Sequence, residues 1–392
     1  MNPKLEQIQQ ELIRQQVDGW LIYDFRRSNP LACQFLELPE NQLLTRRFFY
    51  WIPAKGEPVK ITHAIENPLN YLPGLTLRFS GWQQMEMHLA KVLAGYKTIL
   101  MEYSPRNAIP TISKVDAGTI ELIRSLGVEV KSSCNLLQLF TTLTEKQEWT
   151  HLKAAEILEQ IARATWKMIS ERLQQDKVLR EEDVQKFMLD QMSIHGCVTS
   201  DPPICAVNEN TANPHYSPVK PTSAIIKKGD FILIDLWCKL NQSQAVYADI
   251  TRVGVASDEP TEKQKTIFNL VRNAQEAATQ LVVNRFSENK ILYGWEVDQT
   301  AREVITAAGY GDYFIHRTGH SIDTSDHGSG VNMDNLETHD QRPVIPGTCF
   351  SIEPGVYLPG EFGVRLEYDI LISASGKVKI TGGSQESIEI LF

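Results

Sequence analysis

The chain has 392 residues, 42% hydrophobic and 22% charged, with a formal net charge of −9. That length predicts two domains with ample apolar content for a buried core. Lys and Arg are dispersed rather than gathered in basic runs, and no apolar run is long enough to span a bilayer, so neither nucleic acid nor a membrane is expected as a partner.

In chain order, the opening MNPKLEQIQQELIRQQVDGW reads as an amphipathic charged helix, without the basic start, apolar core and small-residue cleavage site of a signal peptide. Up to about residue 145, helical stretches alternate with short apolar runs at 19–23, 47–52, 98–101 and 128–130, with helical periodicity around 113–126. An α/β layer structure is expected there. It holds no nucleotide-binding glycine pattern and no concentration of histidine with carboxylate, so a structural or substrate-shaping role is expected. A long helix is predicted over 145–175 with Thr144 as its N-cap, and a second over 180–195 opening with acidic residues. Strands follow at 231–237 and 246–255, helices at 262–286 and 296–308, and strands at 349–353 and 364–373. The boundary is placed near Thr144, dividing 1–144 from 145–392. The six cysteines, Cys33, Cys134, Cys197, Cys205, Cys238 and Cys349, form no CxxC pair, which makes a reducing cytoplasm the expected compartment.

Chemistry concentrates in the second part. Asp235 sits in FILIDLW and Asp249 in VYADITRVGV, both apolar runs of strand character where an unpaired carboxylate costs several kcal/mol. A hairpin through 241–244 brings the two side chains together, and adjacent carboxylates repel unless a cation lies between them. In GVRLEYDILIS the strand period of two puts Arg365, Glu367 and Asp369 on one face and Val364, Leu366, Tyr368 and Ile370 on the other. Glu353 ends the short run CFSIE just before Pro354 and Gly355, where it can project into a cleft. Three of nine histidines, His316, His320 and His327, fall in FIHRTGHSIDTSDHG; their spacing permits one helix face, while Gly319 and the polar turn favour a loop or strand. His215 in NPHYSP is a further candidate. Imidazole and carboxylate together suit zinc, manganese or cobalt better than calcium.

These residues resemble a known family. IDLW…YADITR, HRTGH…DHG, SIEPGVYLPG and GVRLEYD, in that order, are similar to the signature of the pita-bread metallopeptidases, the group of methionine aminopeptidase, aminopeptidase P, prolidase and creatinase. The resemblance covers residue 145 to the end, and 1–144 is similar in length and texture to a creatinase-type N-terminal domain. It implies an α/β creatinase-like domain followed by an α+β pita-bread catalytic domain. Asp235 is then a ligand of one divalent metal, Asp249 and Glu367 bridge two, and His320 and Glu353 complete the second site. Manganese is the expected ion, with cobalt or zinc as alternatives. His215, His316 and His327 match the family's non-ligand histidines that contact substrate or shuttle protons. Arg365 matches an arginine that pairs with a substrate carboxylate or orients ligands. The implied reaction is hydrolysis of the peptide bond preceding proline in dipeptides or short peptides, by a hydroxide shared between two cations about 3.5–4 Å apart, in a homodimeric enzyme. Glu353 would relay the proton, and His215 with His327 would stabilise the oxyanion. Two other readings keep the fold: creatinase-like C–N hydrolysis or lysis of a small molecule, and a non-enzymatic binding module. The retained ligand set weighs against the latter. The chain departs from the family pattern at Trp237, where a small residue is usual, at Arg317 and Ser321 in place of glycines, at Tyr368 in place of an acid, and in the fourteen-residue spacing of the two aspartates. Trp237 and Arg317 add bulk and charge near the cleft.

Overall fold

The computed structural model describes residues 3–219 and 223–392 and divides into two compact units, Met1–Phe140 and Thr141–Phe392. No helix among the described residues is long and apolar enough to cross a membrane.

The first unit opens with α1 (Pro3–Arg14), whose Leu5, Ile8 and Leu12 recur at helical spacing and are buried. It continues through β1 (Gly19–Asp24), α2 (Pro30–Phe35), β2 (Phe48–Pro53), β3 (Val59–His63), β4 (Leu75–Phe79), α3 (Trp82–Leu93), β5 (Thr98–Met101), α4 (Ala117–Ser125), β6 (Glu129–Ser132) and α5 (Cys134–Leu137). The strands form one mixed sheet in the order β4-β3-β2-β1-β5-β6. Its central strand is buried on both faces: Trp20 and Ile22 enter one apolar cluster, Leu21 and Tyr23 the other. The helical periodicity of 113–126 becomes helix only from Ala117, because Asp116 caps that end by accepting from the Thr119 N–H at 2.8 Å.

The second unit begins with α6 (Glu145–Gln174), which Thr144 caps as expected, exchanging hydrogen bonds with Gln147 in a capping box. Then come α7 (Glu181–Ile194), β7 (Cys197–Val198), β8 (Ile204–Val207), β9 (Phe231–Leu240), β10 (Ala248–Val255), α8 (Glu262–Ser287), α9 (Gly294–Ala307), β11 (Ser321–Ile322), β12 (Cys349–Ile352), β13 (Gly355–Leu358), β14 (Phe362–Arg365), β15 (Tyr368–Ile372), β16 (Val378–Thr381) and β17 (Glu389–Ile390). Strands β9 and β10 are antiparallel, with Asp235 opposite Thr251 and Trp237 opposite Asp249. Alternation along β9 sends Ile232, Ile234, Leu236 and Cys238 into a core shared with α6 and α7. Phe231 and Leu233 face the opposite way, into a core shared with α8, α9 and β12 to β15. Farther along that second face the pattern turns from apolar to acidic, at Asp235 and Asp249.

One sequence expectation is corrected. The strand expected over 364–373 is two strands, β14 in a hairpin with β13 and β15 in the sheet β11-β12-β15-β16. Leu366 and Glu367 lie between them, and the Glu367 N–H reaches across to the Thr251 carbonyl at 3.3 Å instead of continuing a ladder. The division of faces survives the break. Val364, Leu366, Tyr368 and Ile370 join the apolar core, while Arg365, Glu367 and Asp369 are buried on the other side. Tyr368 packs away from the acids, its hydroxyl 2.7 Å from Thr279 Oγ1.

Candidate metal centre

All five expected ligands line one cleft of about 1080 Å³, together with His215, His316, His327, Arg365, Trp237 and Arg317. Within it, one ligand atom each of Asp249, His320 and Glu367 lies within 4.8 Å of the others. Glu353 is next to them, its Oε1 3.5 Å from His320 Nε2, while Asp249 Oδ2 is 3.9 Å from the same nitrogen. Asp235 is held slightly apart, accepting from the Thr251 hydroxyl at 2.8 Å and from the Arg365 guanidinium.

The histidine segment is not a helix. His320 stands just before β11, its N–H donating to Ser351 Oγ at 3.0 Å and its carbonyl accepting from the Ser351 N–H at 2.9 Å. His320 Nδ1 lies 3.2 Å from the Ser321 carbonyl, which can only accept, so the ring proton belongs there. Nε2 is left with its lone pair toward the carboxylates, an arrangement that favours a cation.

Two further features fit a cation. Asp249 Oδ1 and Glu367 Oε1 are buried without a hydrogen-bond partner among the described residues, whereas Glu367 Oε2 accepts from Thr251 Oγ1 at 2.7 Å. Buried polar atoms are ordinarily paired, and an unpaired carboxylate oxygen costs more than a neutral one. Burial, reinforced by the neighbouring carboxylates, also pushes Asp249 and Glu367 well above the usual carboxylate range, and burial raises Glu353 to about 7. Burial drives the His320 ring well below its ordinary value. Acids that cannot ionise together beside a neutral imidazole regain their charge when a divalent ion supplies the opposing field.

The structure assigns partners that the sequence expectations lacked. Arg365 was expected to meet a substrate carboxylate or orient ligands. It is 4% exposed and donates to Asp235, to Thr251 Oγ1 at 3.1 Å and to the Tyr357 hydroxyl at 3.0 Å. His316, expected to contact substrate, has both ring nitrogens engaged, Nδ1 with the Arg317 carbonyl and Nε2 with the Tyr357 hydroxyl, each at 2.7 Å. Burial, with Arg365 beside it, lowers this ring to about 3. His215 and His327 remain exposed on the cleft wall, and the His327 ring lies 4.1 Å from that of His320.

Sequence reasoning passed over four supporting residues. Thr251 shares its hydroxyl between Asp235 and Glu367; its position two residues after Asp249, on the same strand face, was the available signal. Asp369, on the recognised charged face, accepts from the Asp249 N–H at 2.9 Å. Tyr357 links Arg365 to His316, and Ser351 links His320 to Glu353, donating to its Oε1 at 3.1 Å. The last two depend on long-range packing and left no local mark.

Residues 150–374, more than half of the chain, match the profile of metallopeptidase family M24. A Xaa-Pro dipeptidase of Lactobacillus delbrueckii subsp. lactis is 35% identical over 188 residues, or 48% of this chain and 46% of that protein, so the chain spans just under half the length of that curated relative. Among solved structures, a dipeptidase from Pyrococcus horikoshii OT3 is similar at 25% identity with a TM-score of 0.64, covering 99% of both chains. The dipeptidase PepE from Mycobacterium ulcerans is similar at 19% identity with a TM-score of 0.71, covering 99% of this chain and 97% of its own. These full-length likenesses give the chain a two-domain fold whose second domain has the pita-bread architecture.

Proposed function

This chain belongs to metallopeptidase family M24, and from that premise we propose that it hydrolyses the peptide bond preceding proline in dipeptides or short peptides. The single observation that carries the metal-dependent part is the pair of orphaned buried oxygens, Asp249 Oδ1 and Glu367 Oε1, beside the free Nε2 side of His320. Two divalent ions, manganese first and cobalt or zinc next, would be held by Asp235, Asp249, His320, Glu353 and Glu367. Asp249 and Glu367 would serve both ions. The ions supply Lewis acidity, polarising the scissile carbonyl and lowering the pKa of water toward neutrality.

The chain's own groups do the rest. Glu353, oriented by Ser351, would take a proton and hand it to the leaving nitrogen. His215 and His327, which line the cleft, would donate to the carbonyl oxygen as charge develops on it. Thr251 and Arg365 keep Asp235 and Glu367 in position. Residues 1–144 form the creatinase-like domain. Cytoplasmic residence and a homodimeric state complete the reading, the former supported by six cysteines that are all unpaired thiols.

The test is a panel of dipeptides and longer peptides with proline second, run with manganese, cobalt and zinc. Hydrolysis of Xaa-Pro substrates by the loaded protein is expected, with Asp249→Ala and Glu367→Ala folded but inactive. A loaded, folded protein that leaves the whole panel intact overturns the substrate, and wild-type turnover in either variant overturns the ligand assignment.

A further inference from the structure

Apart from histidines, three cationic side chains among the described residues face the cleft: Lys239, Arg317 and Arg365. Two are committed. Arg365 is buried among Asp235, Thr251 and Tyr357. Lys239 Nζ donates to the Thr324 carbonyl at 2.6 Å and lies 4.8 Å from the centre of the Tyr247 ring. Arg317 is different: its guanidinium has no hydrogen bond or ion pair among the described residues, although its backbone carbonyl is engaged by His316.

The backbone that carries Arg317 is nevertheless firmly held. On one side the His316 carbonyl accepts from Arg302 Nη2 at 2.8 Å; on the other, the Thr318 N–H and hydroxyl donate to Asp298 Oδ1 at 2.8 and 2.7 Å. The Thr318 carbonyl also accepts from the Glu353 N–H at 2.7 Å, so Arg317 starts one residue from a direct backbone link to Glu353. A half-buried, unpartnered guanidinium on a fixed backbone is pre-organised for an anion with two oxygens. In a dipeptide ending in proline, the free carboxylate is attached one carbon away from the leaving nitrogen, the atom assigned to Glu353.

We propose that Arg317 binds the C-terminal carboxylate of the substrate and so makes this cleft selective for dipeptides over longer or amidated peptides. This rests on the prolyl-peptide reading above and assigns the carboxylate contact to a residue outside the family pattern.

The experiment compares wild type, Arg317→Ala and Arg317→Lys on Ala-Pro, Ala-Pro amide and Glu-Pro amide, alongside calorimetric binding of L-proline and prolinamide to the metal-free protein. Arg317→Ala should raise KM for Ala-Pro about 10- to 100-fold with kcat little changed, in keeping with loss of a charge-assisted pair. Its kinetics on Ala-Pro amide should stay as in wild type, and Arg317→Lys should recover part of the loss. L-Proline should bind wild type more tightly than prolinamide does, and Arg317→Ala should abolish that preference. An equal penalty on acid and amide, or one confined to Glu-Pro amide, overturns the assignment, as does wild type binding proline and prolinamide alike. If wild type hydrolyses none of the three peptides, the prolyl reading fails, and the proline binding preference still decides the role of Arg317.

Discussion

Glu102 shows how far burial alone can move a single group. It is fully buried in the first unit, where its carboxyl accepts from Trp20 Nε1 at 2.6 Å and Asn29 Nδ2 at 2.8 Å, yet burial outweighs those bonds and raises it to about 7 from 4.5. Between those values the folded chain keeps the proton that the unfolded chain has lost. Stability therefore falls as pH rises through the window, and the full shift corresponds to about 3 kcal/mol. The unfolding free energy of wild type minus that of Glu102→Gln should drop by about that amount between pH 4.5 and pH 7.5 in chemical denaturation. A pH-independent difference would remove the claim. The acids of the cleft face the same burial with a different remedy: Asp235 has Arg365, whereas Asp249 Oδ1 and Glu367 Oε1 have no partner among the described residues.

At the scale of elements, the centre is made where β10, the 318–320 segment, β12 and the β14–β15 break converge. The antiparallel pairing of β9 with β10 was readable from two apolar runs with a turn between them, and Thr144 was readable as a cap. The break between β14 and β15 was not, because period-two alternation continues through it unchanged while the hydrogen bonds switch partners. Gly319 is the close approach that the arrangement requires: a Cβ there would lie 2.0 Å from the Ser351 carbonyl oxygen. Gly319→Ala must push the 318–320 segment off β12, carrying His320 away from Glu353. A loss of about 1–3 kcal/mol in stability is expected, with at least about a tenfold weakening of metal binding by calorimetry. Wild-type metal affinity in that variant would show that the packing does not position His320.

For the whole molecule, the described residues contain one compact group of metal-ligand type, and it lies in the second unit. A metal at one hundred times its dissociation constant should stabilise that unit by about 2.7 kcal/mol. Hydrogen exchange should slow in β9, β10 and β15 and stay unchanged in β1 to β6; equal protection in both units would contradict a single centre. Much of this was legible in the amino-acid sequence, because strand and helix periodicity, capping residues and the ordered run from Asp235 to Glu367 are local patterns that survive without coordinates. They determined the element types, the two-part organisation and the residues that gather at the cleft. Pairing was decided only by the fold. Arg365 turned to Asp235, both His316 nitrogens were taken, and the Arg317 guanidinium was left without a partner among the described residues, since which charge is neutralised depends on tertiary contacts, such as that of Arg365 with Asp235 130 positions away, that no local pattern records.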